Sequence, residues 1–253
     1  MDFFSGKTNR YAQLILDLAK TQITRTKKKD DKELILKQIY SNVLLDRDGP
    51  RSLGPRELNY AELFAAKLFR SFSEIVTSYR AIQNFIVYLN VFPFKKKVSQ
   101  YDYLKYHIEN YLQELYIFRL RLESYLNVVE KLYKKSPRIG TQVSETIDKL
   151  RLLVANFFGH YKMVRGRHVH KFRYTDRDID RLALFDTLSA SQDKEFVTKL
   201  QVFYKIAYED ISRKWKRKIL EDIRAIHALN ESYFDSLYKV TTKNGDLVYP
   251  LEK

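Results

Sequence analysis

The densest concentration of chemically able side chains is the stretch Met163-Val164-Arg165-Gly166-Arg167-His168-Val169-His170-Lys171-Phe172-Arg173-Tyr174. It holds four Arg or Lys residues and two of the five histidines. An imidazole with an ordinary pKa of about 6.5 keeps both protonation forms available near neutrality, so it can move protons. A guanidinium meets phosphoryl oxygens bidentately and does not lose its own proton. Together they suit chemistry on a phosphodiester. His168-Val169-His170, with His160 or Asp176, supplies at most half a metal site, because zinc needs three or four converging ligands. No metal and no cofactor are expected.

A second cationic group, Arg213-Lys214-Trp215-Lys216-Arg217-Lys218, sets five positive charges around the single tryptophan. Such a run neutralises phosphates while an indole stacks on an unpaired base. The competing reading turns Trp215 into the core and leaves the cations solvated. His107 and His227 are isolated and fit surface or satisfied core positions. Arg119 fits a side chain reaching outward from the edge of the core.

These groups need elements to hold them, and the patterning is helical. Ala61, Ala65, Leu68, Phe72, Ile75, Tyr79, Ile82, Ile86 and Leu89 step by four and three. So do Tyr111, Leu115, Phe118, Leu122, Tyr125, Val129 and Leu132. The third series is Val143, Ile147, Leu150, Val154, Phe157, Tyr161 and Val164. Each is one apolar stripe on a long helix. Phe92-Pro93-Phe94 and Ser136-Pro137 separate them, with Thr141 as the expected N-cap of the third. Gly166 is expected to end that helix, leaving Arg165 on its last turn and His170 on the connection.

Two helices are expected before Asp46-Arg47-Asp48-Gly49-Pro50, on either side of Lys27-Lys28-Lys29. A short capped helix should run from Thr175–Asp178 to about Leu188, and a basic one from about Asp193 to Ala228. Asn244-Gly245 suits a terminal hairpin. The expected fold is all-α, an up-down bundle of long antiparallel helices with extra N- and C-terminal helices. It forms one domain over 1–253, with a core at about 56–190, an N-terminal helical region at 1–50 and a C-terminal basic helix and tail at 193–253.

The chain has 253 residues, 46 Lys plus Arg against 31 Asp plus Glu, and a net charge of +15. That excess favours polyanionic partners. With no Cys, disulfides, thiol nucleophiles and thiolate-ligated metals are excluded. The apolar runs are too short to span a membrane, and the start lacks the basic-then-apolar order of a secretory signal. A cytoplasmic protein without a membrane partner is expected.

Arg165 followed by His170 after four residues, at the end of a long bundle helix in a basic chain, resembles the HEPN superfamily. Its members are helical bundles with an Arg-x(4–6)-His motif, many of them metal-independent endoribonucleases of toxin–antitoxin, abortive-infection or phage-defence systems. The likeness covers about 56–190, and it departs where Gly166 stands at a position often polar. It implies His170 as the proton-transfer residue and Arg165 as the phosphate clamp, with Arg167, His168 and Lys171 on the RNA backbone. It also implies a homodimer with two motifs facing one groove, and an antitoxin or other protein partner. The alternative is a non-catalytic basic helical module that binds nucleic acid or a protein partner. A coiled-coil-like assembly protein is the third reading, because heptad-spaced stripes also suit dimer seams.

Overall fold

The apolar stripes fold as helices that bury them. The computed structural model describes residues 5–25, 60–91, 98–134, 136–137, 139–170, 176–189 and 193–250. These form α1 (Gly6–Arg25), α2 (Tyr60–Tyr88), α3 (Gln100–Tyr133), α4 (Gly140–His170), α5 (Arg177–Leu188) and α6 (Lys194–Thr241). Two short strands, β1 (Thr242–Lys243) and β2 (Asp246–Leu247), follow. The expected second N-terminal helix, the breaks at 46–55 and the Phe92-Pro93-Phe94 break lie outside the described residues.

Helix α3 runs through the middle. It packs against α2 on one side and α4 on another, while α6 touches every other described helix. The direction of each pair follows from its contacts. Ser78 with Glu114 and Phe64 with Tyr133 run oppositely along α2 and α3, so the two are antiparallel. Tyr111 with Asp222 and Tyr233 with Leu122 advance together, so α6 is parallel to α3. Helix α1 joins the same core, laying Tyr11 against Phe72 of α2 and Phe234 of α6.

At the centre an aromatic cluster draws on four helices. Phe234 stacks on Tyr11 at 5.5 Å and meets Phe72 edge-on at 5.5 Å, while Tyr125 lies 6.3 Å away. The hydroxyls of Tyr11 and Tyr125 share a 2.9 Å hydrogen bond, and the Tyr233 hydroxyl donates to the Leu122 carbonyl at 2.8 Å. Each of these tyrosines thus adds a partnered polar tip to an apolar body that a phenylalanine would match.

Several element boundaries differ from the sequence expectation. Helix α6 does not stop at Ala228 but continues to Thr241, because Leu229, Tyr233, Phe234 and Leu237 extend its buried stripe. Thr141 lies inside α4, which already begins at Gly140, and so does not cap it. In α4 the fully buried ring is Phe158, one turn after Val154, while Phe157 is half-buried against the core. The short helix is as expected, but its cap is Asp176, which accepts from the amides of Asp178 and Ile179 at 2.9 and 3.2 Å; Thr175, the cap expected from the sequence, lies outside the described residues. The hairpin is as expected. Asn244 and Gly245 both have positive φ, 54° and 90°, as a two-residue turn between right-twisted strands requires.

Two outcomes test this core. Phe234→Ala should cost about 3–5 kcal/mol in a urea melt, because it opens a cavity between four helices. Burial pushes Tyr11 up to about 12 and raises Tyr125 and Tyr233 well above their ordinary value. Their hydroxyls ionise in the unfolded chain near pH 10 but keep their protons in the folded one. Stability should therefore be intact below about pH 10 and fall as pH rises above it, measured as the urea midpoint between about pH 8 and pH 11.5.

Candidate nucleic-acid interface at the end of α4

Helix α4 packs on α3 and over its second half, where Phe158 still meets Phe118, also reaches α6. Its first half is held by Val143, Ile147, Leu150 and Val154 in the core and by Arg151, which reaches Glu130 at 2.6 Å and Asn127 at 2.9 Å on α3. Further along, the Tyr161 hydroxyl donates to Asp222 Oδ1 on α6 at 2.6 Å. The Tyr111 hydroxyl, from α3, donates to Asp222 Oδ2 at 2.8 Å. Lys218, one turn earlier on α6, approaches the same carboxylate at 3.2 Å and lies over the Tyr161 ring. One carboxylate, 12 % exposed, thus ties three helices together. Burial first, and then the Asp222 charge, raise the Tyr111 pKa; burial and hydrogen bonding to Asp222 raise that of Tyr161. Both rings are therefore neutral donors at ordinary pH.

Beyond Tyr161 the backbone stays helical through Gly166 to His170. The expectation that Gly166 ends the helix is corrected. A glycine inside a long helix costs about 1 kcal/mol, which a 31-residue helix absorbs. Arg165, Arg167, His168 and His170 are consequently all residues of α4, and His170 is its last residue rather than part of the connection. Lys171 lies outside the described residues. Along a helix, positions 165 and 170 are about 140° apart around the axis and about 7.5 Å apart along it. Positions 165 and 168 continue the face that holds Tyr161, whereas 170 falls on the other side.

Helix α5 fixes the far side of this segment. Lys214 of α6 reaches Asp178, in the first turn of α5, at 3.3 Å. Tyr161 of α4 and the start of α5 are thus tied to α6 at Asp222 and Lys214, about two turns apart, and the second cationic group lies on those same turns. Trp215 is buried within it, while Arg213, Lys214 and Arg217 are exposed. The indole therefore serves the core and the cations Arg213, Lys214 and Arg217 face water, which is the core-facing one of the two readings open for Trp215. On the adjoining side, a cleft of about 330 Å³ lies between the end of α2 and α6, lined by Leu89, Asn90, Tyr208, Ser212, Arg213 and Lys216.

The remaining polar candidates have local roles. Arg119 pairs with Glu123 one turn on, at 2.7 Å. His107 sits among Tyr88, Tyr103 and Tyr106, stacked on Tyr88 at 5.3 Å, and its burial lowers its pKa. His227 Nε2 lies 3.3 Å from the Ser5 hydroxyl. Among the described residues no group of three or more His, Asp or Glu side chains could hold a metal ion. No described helix is long and apolar enough to cross a membrane.

Tyr111 and Tyr161 belong to apolar stripes by their spacing, and nothing in that spacing points to Asp222. The signal that does is the choice of tyrosine over phenylalanine at stripe positions, which demands a buried acceptor. No family profile, curated protein or solved structure matches this chain.

Asp222→Ala should destabilise the protein by about 2–4 kcal/mol, because it leaves two tyrosine hydroxyls and a lysine without their shared acceptor. Asp222→Asn, which keeps an acceptor oxygen, should cost visibly less in the same urea titration.

Proposed function

We propose that the protein is an HEPN-like, metal-independent endoribonuclease, acting in a bacterial defence or toxin–antitoxin setting. The observation that supports it is the tie from Tyr161, on the turns of α4 that lead to Arg165 and His170, to Asp222 on the part of α6 whose cations face water. In this reading His170 removes the proton from a ribose 2′-hydroxyl, whose oxygen attacks the adjacent phosphorus. The bond to the 5′-oxygen breaks, and that oxygen takes up a proton. The products are a 2′,3′-cyclic phosphate and a free 5′-hydroxyl. Arg165 meets the charge that builds on the non-bridging oxygens. Arg167, His168 and Lys171 hold the RNA backbone, and Arg213 and Arg217 extend the cationic surface. Two copies bring two motifs to one groove, and an antitoxin or other protein partner restrains them.

A second reading is favoured by the unbroken helix through Gly166, which sets positions 165 and 170 on different sides of α4. Here the same cationic end belongs to a non-catalytic module that binds nucleic acid or a protein partner.

RNA incubated with purified protein and a chelator should be cut to fragments ending in 2′,3′-cyclic phosphate. Arg165→Ala should slow this by about 10²–10³-fold, and His170→Ala should abolish it. Cleavage by His170→Ala at the wild-type rate would remove the catalytic assignment. Binding that weakens steeply with salt, with no cleavage, selects the second reading.

A further inference from the structure

Helix α6 carries a second seam along its first half, on the side away from the bundle. Phe196, Lys199, Phe203, Ile206, Asp210 and Arg213 step by three and four, and all six are exposed. The three apolar members leave 42 %, 62 % and 59 % of their surface in water. The covered face of the same turns holds Leu200 and Ile211, so among the described residues the apolar surface of the helix there extends well past the part its neighbours cover. A three-four spacing of large apolar side chains is the pattern by which one helix packs along another.

From this we infer that the outer seam of α6 pairs antiparallel with the same seam of a second copy of the chain. The occupant follows from the order of charges. Set against itself in antiparallel register, the seam brings Phe203 opposite Ile206 twice about the twofold axis. Lys199 then faces Asp210 at both ends, and Phe196 faces Arg213. A parallel pairing would oppose Lys199 to Lys199, Asp210 to Asp210 and Arg213 to Arg213, which is repulsive. Within each chain Lys199 reaches Glu195 at 2.7 Å and Asp210 reaches Lys214 at 3.2 Å, but these pairs are exposed and hold the side chains weakly. An anionic bilayer is a poor occupant, because residues 194–210 carry three Lys against Glu195, Glu209 and Asp210. The seam lies outside the segment that carries the HEPN likeness, and this inference does not rest on the ribonuclease reading.

Sedimentation equilibrium on the full chain, with helicity followed by circular dichroism, tests it. The wild type should self-associate to twice 30.3 kDa. Phe203→Glu with Ile206→Glu should be a monomer of unchanged helicity, since both positions face water in the single chain. Lys199→Asp and Asp210→Lys should each weaken association roughly tenfold or more. Combined, they should regain most of it. That recovery can come only from across the interface, because within one helix the double variant sets a carboxylate at position 199 beside Glu195 and an ammonium at position 210 beside Lys214. A wild type that stays monomeric at about 100 μM overturns the inference. So does a dimer that survives Phe203→Glu with Ile206→Glu, or a double charge reversal that restores nothing. RNA cleavage is read separately: a monomeric wild type would also remove the two-copy groove of the proposed ribonuclease, whereas a dimer that survives the seam variants would leave that groove standing.

Discussion

A single carboxylate fixes where the cationic end of this molecule lies. Asp222 accepts from Tyr111 of α3 and Tyr161 of α4 while Lys218 closes over it. A partly buried carboxylate with this many donors has few alternative arrangements, since losing one donor leaves a charge poorly solvated. The three helices are thus held in one register at that level. The last turns of α4 cannot slide along α6 without breaking the Tyr161 contact and disturbing the one from Tyr111. The approach of α4 to the cationic turns of α6 is set at this lock.

The lock works because the rest of the bundle is heavily aromatic and firmly packed. Phe234 at the other end of α6 touches rings from α1, α2 and α3, so α6 is anchored far from Asp222 as well. Between the two anchors the inner stripe of Ile223, Ile226 and Leu229 is buried without interruption, and it continues before Asp222 through Ile219 and Trp215. One consequence is a division of labour along α6. Its C-terminal part is core, its middle displays cations, and its N-terminal part carries exposed apolar rings.

Much of this is legible in the residues. The stripes through Phe72, Tyr79, Phe118, Leu122, Ile147 and Val154 give the helices and their buried faces, because a 3.6-residue period suits a helix and little else. The start of the short helix near 175–178 and the Asn244-Gly245 turn are legible because each satisfies a local backbone need, although the capping side chain is Asp176 rather than Thr175. What stays hidden is long-range. Nothing local says that Asp222 receives hydroxyls from residues 61 and 111 positions away. Gly166 misleads because its preference for ending a helix is worth only about 1 kcal/mol and the helix around it is long. Trp215 is ambiguous because cations on both sides of a ring suit a solvated face and a buried stripe alike. The charge pattern ends α6 too early, at Ala228, whereas the buried stripe continues through Leu237.

At 48 residues α6 is a rod about 72 Å long. It is clamped by rings near its C-terminus and held again near its tip, where Tyr204 accepts from the Tyr101 amide and packs on Phe185. Everything on it shares one angular frame. A one-residue insertion between Ile219 and Asp222 would turn the tip by about 100° relative to the clamp, whereas an insertion of about seven residues would almost restore its bearing. The distance and angle between the basic middle and the tip are therefore set by residue count alone, which makes the helix a ruler as well as a wall of the bundle.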